Sequence, residues 1–123
     1  MSHIVNIKTK LTDPGGVCAA CRRLKLPEPM SGTARLFAGQ ATGLIVKLPG
    51  WNYPVVVDTS TGAVQYDNYN GHWGAQAELD KLLQAYAVEK ASIEARRVGH
   101  RVAEQTLSDG SIKLTIQVAG GAA

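Results

Sequence analysis

Apolar and polar residues alternate at the two ends of the chain, and this alternation predicts β-strands. Residues 3–11 read HIVNIKTKL, with mostly apolar side chains on one face and asparagine and lysine on the other. Residues 111–118 show the clearest alternation, because Ile112, Leu114, Ile116 and Val118 are separated by polar residues. A period of two is typical of a strand that buries one face.

A short helix is predicted after the first strand. Asp13 is a suitable N-cap. Pro14 suits the first helical position, because proline has no backbone N–H and an N–H at that position would have no intrahelical acceptor. The apolar residues that follow have helical spacing: Val17, Cys21 and Leu24. Two prolines in the segment 26–29 (LPEP) end the helix.

A longer helix is predicted over residues 75–98. Its apolar residues form a stripe at helical spacing: Leu79, Leu82, Leu83, Tyr86 and Ile93. Gly99 lies where a glycine commonly ends a helix in the left-handed conformation.

The remaining segments predict strands joined by glycine- and proline-containing turns, at 33–37, 43–48, 53–58, 63–66 and 101–106. The resulting order is β-α-β-β-β-β-α-β-β, in which hairpins dominate. We therefore predict an α+β fold, a two-layer sandwich with a mostly antiparallel sheet and two helices on one face. The chain length predicts a single domain over 1–118 and a flexible tail over 119–123.

Four short motifs carry a family resemblance: Met1-Ser2-His3 with Ile7-Lys8-Thr9, Gln84-Ala85-Tyr86-Ala87, Gly99 with Val102, Glu104 and Gln105, and Asp109-Gly110-Ser111-Ile112. Through these motifs, the two ends of the chain resemble a small family of unknown function. The family is named after a chloroplast and cyanobacterial reading frame, ycf thirty-five. The resemblance covers roughly half of the chain, and its middle matches poorly. It implies a compact cytosolic or plastid-type α+β module and carries no activity, catalytic residue or ligand with it.

Composition and charge narrow the class of protein. The 123 residues are 45% hydrophobic and carry a formal net charge of +3, with a sequence pI near 9.0. This mild excess falls short of the clustered charge of a dedicated nucleic-acid binder. No apolar run approaches the roughly 20 residues that span a bilayer. The first residues do not form a signal peptide, so we expect a cytoplasmic protein.

Cys18 and Cys21 form a CxxC motif, which is compatible with a redox pair, half of a metal site or simple packing. A redox cysteine is favoured at a helix N-terminus, but Cys18 lies about one turn inside the predicted helix. Structural zinc needs four ligands, and the chain has no second cysteine pair. Packing is the favoured interpretation, and no cofactor or metal site is predicted.

A basic cluster surrounds the predicted end of the long helix. Its members are Lys90, Arg96, Arg97, His100 and Arg101. Such a cluster could contact phosphate groups of a nucleic acid. Cations also occur at helix C-termini because they complement the helix dipole, and this second interpretation is favoured.

The segment 64–74 (VQYDNYNGHWG) concentrates aromatic residues in turn-forming sequence. Trp73 precedes the long helix, and we predict that it is buried against the first helical turn, near Ala77 or Leu79, with His72 exposed. Tyrosine and tryptophan are also favoured as interface anchors. Four residues are therefore candidate partner-binding residues: Trp51, Tyr53, Tyr69 and His72.

The sequence contains no GxSxG, P-loop, HExxH or strand-linked GxGxxG motif. No catalytic residue is predicted, although an enzyme assembled without a sequence signature stays open. We predict a non-enzymatic interaction or accessory module that acts within a larger assembly, with a protein partner or a second copy of itself. The alternative is a nucleic-acid accessory protein that uses the basic cluster; a metal or small-molecule binder is the weakest hypothesis.

Overall fold

The computed structural model describes the backbone of residues 5–7 and 11–118 and the side chains of 11–118. Within these ranges the elements are β1 (Val5–Ile7), α1 (Pro14–Arg23), β2 (Met30–Arg35), β3 (Gln40–Val46), β4 (Val55–Asp58), β5 (Ala63–Tyr66), α2 (Gln76–Arg97), β6 (Arg101–Thr106) and β7 (Ile112–Gln117). The predicted α+β class and element order are confirmed. Residues 3, 4 and 8–10 of the predicted strand 3–11, His3 among them, and the predicted tail 119–123 lie outside the described residues.

The chain forms two compact units, Met1–Tyr86 and Ala87–Ala123, which are described separately below. The first contains α1, β1 to β5 and the beginning of α2. The second contains the rest of α2 with β6 and β7. That residues 1–118 fold together as a single domain stays a prediction.

The first unit is built on a five-stranded antiparallel sheet in the order β1-β5-β4-β3-β2. Successive hairpins connect β2 to β5, and β1 pairs with β5 at one edge. Val57 lies opposite Leu44 on one neighbouring strand and opposite Val64 on the other. Paired residues point to the same side of an antiparallel sheet, so these three side chains share one face.

Both helices contribute to the core on that face of the sheet. The sheet supplies Val46, Val55, Val57 and Val64, α1 supplies Val17, Ala20 and Cys21, and α2 supplies Leu79, Leu82, Ala85 and Tyr86. Burial of this much apolar surface is the main driving force for folding of such a unit. The predicted arrangement of two helices on one face is therefore what the first unit shows.

The N-terminus of α1 is capped as its sequence predicts. The Asp13 Oδ1 accepts hydrogen bonds from the backbone N–H groups of Gly15 at 2.9 Å and Gly16 at 3.3 Å. The backbone N–H of Asp13 in turn donates to the hydroxyl of Tyr86 on α2, at 3.2 Å. One capping residue thus links the start of α1 to α2.

The opposite face of the sheet carries a smaller apolar cluster. Its members are Ala34, Leu36, Ala41 and Val56, with Ile45 and Tyr53 packed against them. Gly43 lies in this region of β3, where the strand runs so close to β4 that a side chain would collide with the Val57 carbonyl oxygen. A glycine at this position permits the close approach of the two strands.

In the second unit, α2 ends at the predicted glycine. Gly99 adopts a positive φ of 86°, its N–H donates to the Arg96 carbonyl at 3.0 Å, and the His100 N–H donates to the Ala95 carbonyl at 2.9 Å. This pair of bonds is the Schellman motif, which satisfies carbonyl groups at the helix end. The chain is thereby turned directly into β6.

β6 and β7 form a two-stranded antiparallel sheet of their own. Val102 lies opposite Ile116, and Thr106 lies opposite Ile112. The connecting turn is closed by a bond from the Leu107 N–H to the Ser111 carbonyl at 2.8 Å. Most side chains of this hairpin are exposed.

Candidate functional site

Phe37 and the aromatic residues concentrated between Trp51 and Trp73 form two groups in the structure. Trp51 and Tyr66 meet edge to face, with ring centroids 5.6 Å apart, and both pack in the core under the helices. Burial raises the pKa of the Tyr66 phenol above its ordinary value. The second group surrounds Trp73. Only this second group contains a strongly exposed aromatic ring, that of Phe37.

Trp51 anchors the chain at the entrance to α2. Its indole Nε1–H donates to the Ala75 carbonyl, one residue before the helix begins, at 3.0 Å. The indole ring lies where a side chain on residue 74 would be, so Gly74 is required for this contact. The Trp73 carbonyl accepts from the Asn52 N–H at 2.8 Å, which joins the same two segments.

The prediction that Trp73 is largely buried against the first turn of α2 is not supported by its ring contacts. Trp73 is half-buried, and its ring contacts belong to the second aromatic group. The position is already occupied, because Trp51 reaches the helix entrance from the preceding loop. The accompanying prediction that His72 is exposed is confirmed.

We call Phe37, Tyr53, Tyr69 and Trp73 the aromatic cluster. The Trp73 ring is its centre, with centroid distances of 4.9 Å to Phe37, 5.6 Å to Tyr53 and 4.9 Å to Tyr69. The Phe37 side chain is 56% exposed although it contacts an indole ring. Tilted and edge-on aromatic contacts of this kind stabilise an arrangement beyond simple area burial. The cluster therefore presents an ordered apolar surface to solvent.

A strained turn holds one side of the aromatic cluster. Tyr69 and Asn70 adopt left-handed backbone conformations, with φ of 47° and 52°. Asparagine tolerates this conformation, whereas for tyrosine the cost is of order 1–3 kcal/mol. The turn is held by bonds to the Asn68 carbonyl from the N–H groups of Gly71, at 3.0 Å, and Trp73, at 2.9 Å. Strain of this kind is concentrated at binding and switch segments.

The two residues before the turn are buried. The Asn68 side-chain amide donates to the Gly74 carbonyl at 3.2 Å, which ties the two ends of the turn together. The Asp67 side chain is 0% exposed, and neither carboxylate oxygen has a hydrogen-bond partner among the described residues. Buried polar groups are nearly always paired, so Asp67 is an exception placed directly beside the strained turn.

The structure brings three of the four predicted partner-binding residues together. Tyr53 and Tyr69 both contact Trp73, and His72 lies over the Tyr69 ring at 5.0 Å. Trp51 belongs mainly to the core, although its edge shares a shallow cleft of about 260 Å³ with Tyr53. The prediction that these four residues bind a partner stays a prediction.

Sequence reasoning missed Phe37. The sequence predicts Phe37 as the last residue of a strand, whereas β2 ends at Arg35 and Phe37 lies in the turn between β2 and β3. The signal was the sequence around it: Ala38-Gly39 follows Phe37, and an aromatic residue beside a glycine-containing turn is easily exposed. A cleft of about 350 Å³ surrounds this turn and is lined by residues 35–40.

These clefts open broadly to solvent, unlike the concave pockets that bury most of a small ligand. A third one, of about 270 Å³, is lined in part by Leu26, Leu48 and Lys81. Within residues 11–118 no group of three or more histidine, cysteine, aspartate or glutamate side chains could hold a metal ion.

The two cysteines pack in and beside the core. Cys21 is buried in α1, Cys18 is partly buried, and both are free thiols. Burial, with a smaller contribution from the neighbouring Cys18, raises the pKa of the Cys21 thiol from 9.0 to about 11. Cys21 belongs to the apolar core cluster together with Val17 and Ala20, so its environment is that of a packed thiol.

The basic cluster lies in the second unit. Arg96, Arg97 and Arg101 are exposed on either side of the Gly99 turn. Lys90 forms an ion pair with Glu94 one turn along the helix, with 3.0 Å between Nζ and Oε1. His100 is partly buried. The structure therefore presents three arginines of the predicted cluster at the end of α2.

Comparison of the chain with protein-family models, with curated proteins and with solved structures gives no match. The resemblance to the ycf thirty-five family stays a prediction. No helix in the described part of the chain has the length and apolar character needed to cross a membrane.

Proposed function

We propose that the protein is a non-enzymatic interaction module of a larger cytoplasmic assembly and that it binds a protein partner through the aromatic cluster. The exposed Phe37 ring is the observation that carries this proposal. It contacts Trp73, which is itself supported by Tyr53 and Tyr69. An aromatic side chain that is already ordered loses little conformational entropy on binding.

The chemistry of the cluster favours a partner with a protruding apolar or aromatic side chain. Aromatic residues are enriched at the energetically dominant positions of protein interfaces. Tyr53 and Tyr69 add hydroxyl groups to an otherwise apolar surface, and His72 adds a ring nitrogen beside Tyr69. These polar groups suit the rim of an interface, where hydrogen bonds fix the orientation of the partner.

The basic cluster supports a second candidate function, contact with a nucleic acid. Arg96, Arg97 and Arg101 are all exposed at the end of α2. The sequence from Ala87 to Ala123 contains no phenylalanine, tyrosine or tryptophan on which a base could stack. Binding by this unit would consequently rest on phosphate contacts, which position a nucleic acid without reading its sequence.

The main proposal is tested by substituting the most exposed residue of the aromatic cluster. Wild-type protein and the Phe37→Ala and Met30→Ala variants are immobilised, and proteins captured from native lysate are quantified by mass spectrometry. Met30 is a matched control, because it is also a large exposed apolar residue near the same hairpin, 69% exposed on β2. Neither change removes a residue of the buried core, so we expect both variants to fold.

We expect one or a few proteins to be captured by wild type and Met30→Ala and to be reduced at least about tenfold with Phe37→Ala, in keeping with a hot-spot residue. The captured protein is then purified and its affinity for each variant is measured directly. Equal capture by all three forms, or the absence of any partner that binds directly, contradicts the proposal.

A further inference from the structure

The outer edge of β7 is free in the described part of the chain. β7 pairs with β6 on one side, and among the described residues this sheet contains only these two strands. A free edge presents unpaired backbone N–H and C=O groups that can bind another strand. A two-stranded hairpin is also marginally stable by itself, so an added strand would stabilise it.

The register identifies the groups that point outward. Leu107 donates a backbone hydrogen bond to Ser111, and bonded and non-bonded pairs alternate along an antiparallel ladder. Leu107–Ser111 is a bonded pair, so the next pair, Thr106–Ile112, is non-bonded. Continuing this alternation along β7, Lys113, Thr115 and Gln117 direct their backbone groups toward β6. Leu114 and Ile116 direct theirs toward the free edge.

The side chains of the same outward-directed residues form an apolar stripe. Ile112 and Leu114 are partly buried, whereas Ile116 is 42% exposed and Val118 is 62% exposed. Val102, opposite Ile116 on β6, extends this stripe onto the neighbouring strand. The edge that can accept a strand therefore also carries apolar surface that a strand would cover.

We infer that β7 pairs with β7 of a second copy of this chain, antiparallel and centred on Thr115, to form a continuous four-stranded sheet. In this register Leu114 lies opposite Ile116 of the other copy, and Ile112 lies opposite Val118. Each of these pairs exchanges two backbone hydrogen bonds, because all four residues direct their backbone groups outward. The more exposed member of each pair is covered by the less exposed one.

Charge favours this self-pairing of β7 over that of β6. Lys113 is the only charged residue between Ile112 and Val118, and the Thr115-centred register places it opposite Gln117 of the other copy. In β6, by contrast, self-pairing centred on Glu104 places this residue opposite Glu104 of the other copy. Self-pairing centred on Ala103 places Glu104 opposite the apolar Val102 of the other copy. Like charges directly opposite each other destabilise a pair of strands. The inference does not depend on the aromatic cluster or on its partner.

A disulfide tests the register. Thr115 would lie directly opposite its own copy in a non-hydrogen-bonded pair, with Cα atoms roughly 4.5 Å apart, within the range that a disulfide bridges. We expect Thr115→Cys to form a covalent dimer on mild oxidation. Ala103→Cys is the matched control, because Ala103 lies opposite Thr115 on β6, away from the proposed edge. Wild type reports any linkage through Cys18 or Cys21.

Sedimentation equilibrium tests the association itself. We expect wild type to form dimers, Thr115→Lys and Thr115→Glu each to weaken dimerisation by about fivefold, and an equimolar mixture of the two variants to restore it, because opposite charges then meet at the centre. Circular dichroism establishes that each variant is folded; Thr115 is exposed, so its substitution spares the core. A wild type that stays monomeric up to its solubility limit overturns the inference. Equal linkage of Thr115→Cys and Ala103→Cys also overturns it.

Discussion

The two tryptophans differ in role, and the difference is set by which of them the backbone allows to reach α2. Trp51 packs with Tyr66 in the core and donates to the Ala75 carbonyl. Trp73 contacts the partly exposed rings of the aromatic cluster instead. The first supports the fold, whereas the second supports a surface.

We therefore expect Trp51→Ala to reduce the free energy of unfolding by about 3 kcal/mol or more, since truncation of large aromatic residues in a core costs about 3–5 kcal/mol. Trp73→Ala should cost less, because Trp73 gives up fewer core contacts. Urea denaturation followed by circular dichroism measures both. A larger loss for Trp73→Ala than for Trp51→Ala would contradict the assignment of Trp51 as the anchor.

The local sequence predicted that Trp73, and not Trp51, packs on the first turn of α2, and this prediction had a physical reason. A large apolar residue just before a helix commonly packs on its first turn, and Trp73 is in that position. What decides the matter is Gly74, whose missing side chain leaves room for an indole from a different loop. That space depends on the path of residues 49–54, which no pattern in the sequence specifies.

Among the elements, the β3–β4 pairing depends on a single glycine. A side chain at residue 43 would collide with the Val57 carbonyl oxygen, whereas one at Gly32, its partner on β2, would meet the Ile45 Cδ1 at an ordinary distance of 3.5 Å. Gly32 and Gly43 thus lie opposite each other, but only Gly32 has room for a side chain.

We expect Gly43→Ala to lower the free energy of unfolding by about 2 kcal/mol or more, as strand displacement in a packed region does. Gly32→Ala should be neutral or slightly stabilising, because alanine restricts the unfolded chain more than glycine. Thermal and urea unfolding of both variants provide the measurement. Comparable stability of the two variants would show that β3 and β4 can separate without loss.

Local sequence patterns predicted several element boundaries well. β5 and β6 begin and end at the predicted residues, and Asp13 caps α1 as expected. The β2–β3 hairpin was displaced by a few residues, because β2 alternates poorly and its ends are set by pairing with β3. Phe37 fell outside its predicted strand for this reason, and the aromatic cluster could not be predicted completely.

For the whole molecule, the distribution of positive charge decides what kind of nucleic-acid binding is available. The net charge is +3, and Arg96, Arg97 and Arg101 lie near one turn in the second unit. Contacts from three arginines to duplex DNA should release counterions and give a slope of log K against log salt of about −3.

We expect any binding measured by fluorescence anisotropy at low salt to be weak, independent of base sequence and lost when the three arginines are changed to alanine. Lys47→Ala removes one positive charge from the exposed surface of the first unit and is the control for loss of a charge outside the basic cluster. Sequence-specific binding, or a steeper slope that the triple variant does not reduce, would contradict this assignment.

Partner identity and assembly are properties that alternation and helical spacing do not encode. The segment Ile112–Gln117 reads as a strand from its sequence, but whether its outer edge is paired depends on how many strands the sheet contains. The same holds for Asp67, whose sequence position suggests a turn and whose burial without a hydrogen-bond partner among the described residues is visible only in three dimensions.

The separation of Trp51 from Trp73 also has a spectroscopic consequence. Indole emission depends on local polarity and contact with neighbouring rings, and the two indoles lie in different environments within one unit. Single-tryptophan variants that keep Trp51 would report unfolding of the core, whereas those that keep Trp73 would report events at the aromatic cluster. The protein therefore contains two intrinsic fluorophores that can distinguish binding from unfolding without any added label.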